Sequence, residues 1–262
     1  MSEPYDSGSR QRISFYSGLL SSLVSTSSPI VGVRLAECVG KRLDIDPLRS
    51  WFYEALRDQA ILGDLTPIYY EFGVGWGGTL FRYIKALQSL CYDSIVNTRD
   101  CHIYLFDSFQ GLPPKMDWKG DFAYFGPGAF RHSVPEIKRL LRRLGIGPEQ
   151  DNVHFVPGFF TDSLTPALSE TLRSRPPSVV TVDVDYYSSA KEVLSWLRPI
   201  LRDGTPFYFD GIWVFRGDPR RGVLAAVNEF NSEGMGKLVP YPVLGSQYMI
   251  GRAFNYVTPT NQ

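Results

Sequence analysis

An α/β fold with a mostly parallel, doubly wound sheet is predicted by three observations. Short apolar runs recur between residues 68 and 209, helical stretches separate most of them, and each run ends at or beside Gly or Asp. Near-continuous apolar strands alternating with helices imply a sheet covered on both faces. The chain has 262 residues, 44% of them apolar and 21% charged. That suits one α/β domain with appendages, large enough to fold without disulfide or metal.

Taken in order, Met1 to about Ser28 reads as a Ser-punctuated, weakly helical start. Val31 to about Leu62 reads as helices, with Leu48, Trp51, Phe52, Leu56 and Ile61 at helical spacing. Residues 1–62 are therefore expected to form an N-terminal helical extension, and 63–262 the sheet-bearing domain. The strands expected are Ile68–Phe72, Ile103–Phe106, Val153–Val156, Ser178–Val182 and Pro206–Phe209. Thr79–Leu90 reads as a helix. Ser133-Val-Pro-Glu136 is a capping box opening a helix through Leu144, stopped by Gly145 and Gly147. Ser188 or Ser189 is expected to cap a helix with a buried stripe at Val193, Leu194, Leu197 and Leu201. Gly222–Phe230 gives another helix. Lys237–Val243 and Gln247–Arg252 read as an antiparallel hairpin at the sheet edge.

Net charge is zero, from 27 basic and 27 acidic side chains, which argues against a polyanionic partner such as nucleic acid or an anionic membrane. The basic run Lys138–Arg143 reads as a solvated helix face. Cys38, Cys91 and Cys101 form no CxxC pair and read as free thiols in a reducing compartment. Phe15–Val24 is too short and too Ser-broken to cross a bilayer. A cytoplasmic enzyme is the expectation.

Ligands of such sheets bind beyond the carboxyl ends of the strands. There stands Glu71-Phe-Gly73-Val-Gly75-Trp-Gly77-Gly78, whose glycines permit a sharp turn and whose following helix aims its N-terminal amides at a ligand. Gly73, Gly75 and Gly78 also satisfy the GxGxxG of dinucleotide enzymes. Glu71 separates the two readings, because a carboxylate there repels a pyrophosphate but can hold the ammonium of an amino acid-bearing cofactor. The next acidic strand end, Asp107, lies further on than the roughly 20 residues of the dinucleotide fingerprint and can accept both ribose hydroxyls. The balance favours S-adenosylmethionine.

Leu105-Phe-Asp-Ser-Phe-Gln-Gly-Leu-Pro113 resembles the FDSFEGLP signature of the macrocin O-methyltransferase family of antibiotic-modifying enzymes. Three further blocks follow that family's pattern in order. Val156–Thr165 resembles its G-x-F-x-D-T-L segment, Val182–Ser189 its D-x-D-x-Y-x-S block, and Gly217–Phe230 its Gly/Arg loop and A-V-x-E-F helix. The resemblance implies a Rossmann-like class I methyltransferase with a seven-stranded, mostly parallel sheet, and a homodimer whose N-terminal helices act as a lid. It also implies that Glu71, Gly73, Gly75 and Gly77 line the methionine end of the cofactor. Asp107 would take the ribose, with Ser108, Phe109 and Asp162 near the adenine.

On the acceptor side, Asp183 and Asp185 close one strand and Asp210 the next. Carboxylates on neighbouring strand ends can converge on a hard divalent ion. In the resembling family such an ion is Mg2+, which lowers the pKa of the hydroxyl to be methylated. The family has two adjacent aspartates where this chain has Asp210 and Gly211, so one ligand is missing. Two readings stand: Asp183, Asp185 and Asp210 hold Mg2+, or the metal is gone and Asp183 is a general base. His132 is the only histidine placed to reach the cleft as a second base. Trp118–Phe130 and Ile212–Phe215 would wall a ring-shaped acceptor. The function expected is O-methylation of a small-molecule natural product, a sugar among them. The alternatives are a metal-independent S-adenosylmethionine enzyme of the same fold, acting on nitrogen or a phenol or doing non-methyl chemistry, and a non-catalytic cofactor-binding protein.

Overall fold

The computed structural model describes residues 46–61, 66–97, 101–114, 125–148, 151–241 and 251–259. Its elements are α1 (Pro47–Ile61), β1 (Ile68–Phe72), α2 (Gly78–Tyr92), β2 (His102–Asp107), α3 (Val134–Arg143), β3 (Val153–Pro157), α4 (Phe160–Ser163), α5 (Pro166–Leu172), β4 (Val179–Val182), α6 (Tyr187–Leu197), β5 (Pro206–Phe209), α7 (Gly222–Ser232), β6 (Lys237–Pro240) and β7 (Arg252–Val257). The expectations for residues 1–45, Cys38 among them, lie outside the described residues.

The sheet has seven strands in the order β3-β2-β1-β4-β5-β7-β6, all parallel through β5, with β7 antiparallel to both its neighbours. Strand order reverses between β1 and β4, which is where open α/β sheets place their ligand crevice. Side chains alternate between two cores. Tyr70, Phe72, Val180, Val182, Phe207 and Phe209 face one, packed by α6 and α7 through Val193, Leu197, Val223 and Phe230. Tyr69, Ile103, Leu105, Val179 and Tyr208 face the other, packed by α1 and α2 through Trp51, Phe52, Leu80 and Leu87. This is the two-sided covering that continuous apolar strands require.

Three expectations shift. Helix α1 is part of the sheet's own core: Trp51 and Phe52 are fully buried, with Phe52 edge-on to Tyr69 and Tyr83 at 5.8 and 5.5 Å. By packing, Pro47–Gln262 is one compact unit, so α1 belongs with the sheet and not with the extension. Ser188 and Ser189 do not cap α6. Its N-cap is Tyr186, because Tyr187 is drawn into the core as the first helical residue. The last strand begins at Arg252, where it was expected to end, since Phe254 pairs opposite Phe207 and stacks edge-on against Phe209 at 5.5 Å. Residues 242–250 lie outside the described set. The capping box forms as expected, with the Ser133 N–H donating to the Glu136 carboxylate at 2.7 Å.

Candidate functional site

Strand pairing brings the chemistry-bearing ends into one row. Backbone hydrogen bonds run past the strands themselves: Gly73 N–H to Phe106, Asp183 N–H to Phe72 and Asp210 N–H to Val182, at 2.9, 2.8 and 3.0 Å. Asp107, Gly73, Asp183 and Asp210 therefore share one rim, across the switch between β1 and β4.

The glycine turn is shaped by close approach. Gly73, Gly75 and Gly77 all have left-handed backbone, with φ of 82°, 49° and 83°. A Cβ on Gly73 would overlap the Asp183 carbonyl oxygen, so the turn can lie against β4 only with glycine there. Gly77 then starts α2 as its N-cap. Asp107 stitches this turn to the loop after β2. Its Oδ2 accepts the N–H groups of Val74 and Gly75 at 2.7 and 3.3 Å, and its Oδ1 accepts that of Phe109 at 2.6 Å. Phe109 is nearly buried and held at φ 53°, a costly conformation for a bulky residue. Ser108 folds onto its own loop, donating to the Gly111 carbonyl at 2.7 Å.

Glu71 lies at the floor of the row with no exposed surface, and neither carboxylate oxygen has a hydrogen-bond partner of good geometry among the described residues. Burial pushes its carboxyl well above the usual range, and Asp183 and then Asp107 add to the shift. The Tyr69 hydroxyl and Leu80 N–H face it and offset only part of this. The Tyr69 hydroxyl is hydrogen-bonded to Thr181 at 2.8 Å instead. A buried, unpartnered acid is costly and points to a cationic ligand group.

Asp183, Asp185 and Asp210 form a second acidic group. Asp183 is exposed on this rim, although neighbouring protein atoms crowd its carboxyl. Its carboxyl is pushed well up, first by desolvation, then by Asp210 and Asp185, and it lies within hydrogen-bonding reach of Asp210. Asp185 is raised to about 6 by burial and by Asp210. Among the described residues no three acids, histidines or cysteines gather with the spacing of a metal shell. Gly211 sits at φ 62°, where any side chain would be strained. The Tyr208 hydroxyl donates to Asp210 Oδ1 at 2.8 Å. Sequence reasoning overlooked Tyr208, although strand periodicity puts residues 208 and 210 on the same face.

His132 and Asp162 act on other groups among the described residues. His132 stands near Glu136, whose carboxyl it helps the Ser133 groups to hold low, and it is not among the charges that shift Asp183. Asp162 is an exposed residue within the single turn of α4, whose N-cap is Phe159, and its charge acts on Glu192. Of the aromatic segments, Phe125 and Phe130 meet edge-on at 4.6 Å, and Tyr186 donates to the Phe125 carbonyl at 3.3 Å. Trp213 is 43% exposed in the loop after β5. Residues 115–124 lie outside the described set. Trp76, 66% exposed between Gly75 and Gly77 with its ring across Gly78, is a further rim aromatic that sequence reasoning did not single out.

Residues 35–234 match the family described as macrocin-O-methyltransferase (TylF). The chain is 29% identical over 167 residues to the mycinamicin III 3''-O-methyltransferase of Micromonospora griseorubida, covering 61% of this chain and 59% of that one. It is 33% identical over 112 residues to the demethyldecarbamoylnovobiocin O-methyltransferase of Streptomyces niveus, covering 39% and 38%. The matched regions thus span less than two thirds of those relatives. Among solved structures, CalS11, a calicheamicin methyltransferase, superposes with a TM-score of 0.61 at 19% identity over 96% of this chain and 94% of that one, a likeness of fold.

Proposed function

The chain belongs to the macrocin O-methyltransferase family, and on that footing we propose that it transfers a methyl group from S-adenosylmethionine to a hydroxyl of a small-molecule natural product, with a sugar ring as the finer reading. The observation that carries the proposal is Glu71, a fully buried acid beside a glycine turn on the ligand rim, with no hydrogen-bond partner of good geometry among the described residues. The residues fit the cofactor: Glu71 would take the ammonium, the Gly73–Gly77 backbone would lie along the methionine end, and Asp107 would accept a ribose hydroxyl with the lone pair left on its Oδ1. Ser108, Phe109 and Asp162 would border the adenine. When bound, the cofactor supplies an electrophilic methyl group on sulfonium.

Asp183 is the proton acceptor in this reading. Its raised carboxyl makes it a stronger base than an aspartate without such acidic neighbours, better matched to a hydroxyl. Asp183 would take the acceptor O–H proton, while the bound cofactor would supply the methyl group and leave as S-adenosylhomocysteine, so the protein's own contribution is the base and the alignment. The relatives are O-methyltransferases named for mycinamicin III and demethyldecarbamoylnovobiocin, which supports a glycosylated natural product as acceptor.

A second reading rests on the mutual repulsion of Asp183, Asp185 and Asp210, which a Mg2+ ion would relieve. Asp183 and Asp210 would hold it, with water in the place that Gly211 leaves without an oxygen. The ion would supply Lewis-acid activation of the hydroxyl. A homodimer is part of the proposal, tested by light scattering. The activity is tested by incubating the enzyme with S-adenosylmethionine and a panel of glycosylated natural products. Mass spectrometry should find an acceptor one methyl group heavier. Cofactor binding without any methylated product would leave the non-catalytic reading standing.

A further inference from the structure

We infer that Tyr208 is a positioning residue that holds the Asp210 carboxylate toward Asp183 through its hydroxyl, an inference that rests on Asp183 being the proton acceptor proposed above. Asp210 follows β5 directly and precedes a glycine in left-handed backbone, so the sheet fixes its backbone and leaves the side chain to be oriented by its contacts. Apart from the neighbouring carboxyl of Asp183, Tyr208 is the only group donating to the Asp210 side chain among the described residues, at 2.8 Å. The tyrosine itself cannot move away. It is 3% exposed and its ring lies against that of Trp51 on α1 at 5.9 Å. Gly251 closes the space on the far side: a Cβ there would collide with the Phe209 carbonyl and stand 2.7 Å from the Tyr208 hydroxyl.

The consequence is geometric. One oxygen of Asp210 is taken by a donor built into the sheet, while the Asp210 N–H bonds to the carbonyl of Val182, the residue before Asp183, at 3.0 Å. Where the resembling family pattern uses a second aspartate after the strand, this chain orients a single carboxylate from two residues before it. Tyr208 touches neither substrate nor cofactor in this assignment and acts through Asp210.

A double-mutant cycle tests it. Tyr208→Phe keeps the ring and removes the hydroxyl. It should lower kcat by about 10- to 100-fold, the usual effect of losing a partner that orients a site carboxylate. The dissociation constant for S-adenosylhomocysteine should stay within about twofold, and the circular dichroism spectrum unchanged. In an Asp210→Ala background, which removes the acceptor, the same change should cost nothing further. Wild-type kcat in Tyr208→Phe, or an equal extra loss in Asp210→Ala, overturns the inference. Crystal structures of wild type and Tyr208→Phe give an answer independent of turnover. The Asp210 carboxylate should swing away from Asp183 in the variant, and an unmoved carboxylate refutes the positioning role. Should Asp183→Asn retain full activity, the proposed proton acceptor fails, and the structures still decide the Tyr208–Asp210 relation.

Discussion

Replacing Glu71 by glutamine should push stability and cofactor binding in opposite directions. The carboxyl is fully buried and unpartnered among the described residues. An unsatisfied buried polar group costs about 1–3 kcal/mol, and more when charged. Glutamine keeps the volume and cannot ionise, so the cofactor-free protein should gain about 1 kcal/mol at neutral pH. For a chain of this size that raises Tm by about 2–4 °C. The sign with pH follows from the direction of the shift. The folded carboxyl titrates above its ordinary value of 4.5, so the protonated form is favoured by the fold. Stability is lost as pH rises from the unfolded toward the folded pKa. The gain in Glu71→Gln should therefore vanish near pH 4.5 and grow toward neutrality. Binding moves the other way, because a hydrogen bond between two charged groups is worth about 1.5–3 kcal/mol. S-adenosylhomocysteine should bind about tenfold to a hundredfold more weakly. Thermal melts across pH, with and without ligand, read both effects. A variant that melts lower at neutral pH, or binds as tightly as wild type, refutes the assignment of Glu71.

Asp183→Asn should reduce transfer by about 10²- to 10⁴-fold, the usual worth of a general base, with S-adenosylhomocysteine affinity kept within about threefold. Loss of affinity instead would move Asp183 to the cofactor side. The acid limb of kcat/KM should fall above the ordinary carboxylate range, since Asp183 must be ionised to act and burial, Asp210 and Asp185 all hold it protonated. Asp185→Asn removes one of those charges and should shift the limb to lower pH; an unmoved limb would mean another group titrates there. Turnover should withstand EDTA, and a loss restored by added Mg2+ would install the ion in the mechanism. Gly73→Ala should cost at least about 1–2 kcal/mol from the left-handed backbone alone, before its Cβ meets the Asp183 carbonyl, and a wild-type Tm would contradict the described turn.

Much of the rim is legible in the sequence because strand ends are punctuated. Glu71 and Gly73, Asp107, Asp183 and Asp210 each close an apolar run, and alternation with helices implies parallel pairing that lines those ends up. What depends on side-chain direction is hidden. Tyr208 lies in an aromatic run that reads as core, and although alternation puts it on the same face as Asp210, the 2.8 Å hydrogen bond is a tertiary fact. Asp107 is legible as an acid at a strand end, but its three backbone donors are a tertiary fact. The last strand slips because Gln247–Arg252 and Arg252–Val257 both carry apolar residues at strand spacing, and contact between Phe254 and Phe209 decides between them. The surroundings of His132 are hidden for a related reason. Its loop lies after a strand end in sequence, yet the capping box places it beside Glu136.

The most direct test of the central claim is a crystal structure grown with saturating S-adenosylhomocysteine. The ligand should lie across the β1–β4 switch, its amino group on the Glu71 carboxyl and a ribose hydroxyl on Asp107, with Asp183 left exposed. A ligand bound elsewhere, or one whose amino group is held by other residues while Glu71 stays unpartnered, would contradict it.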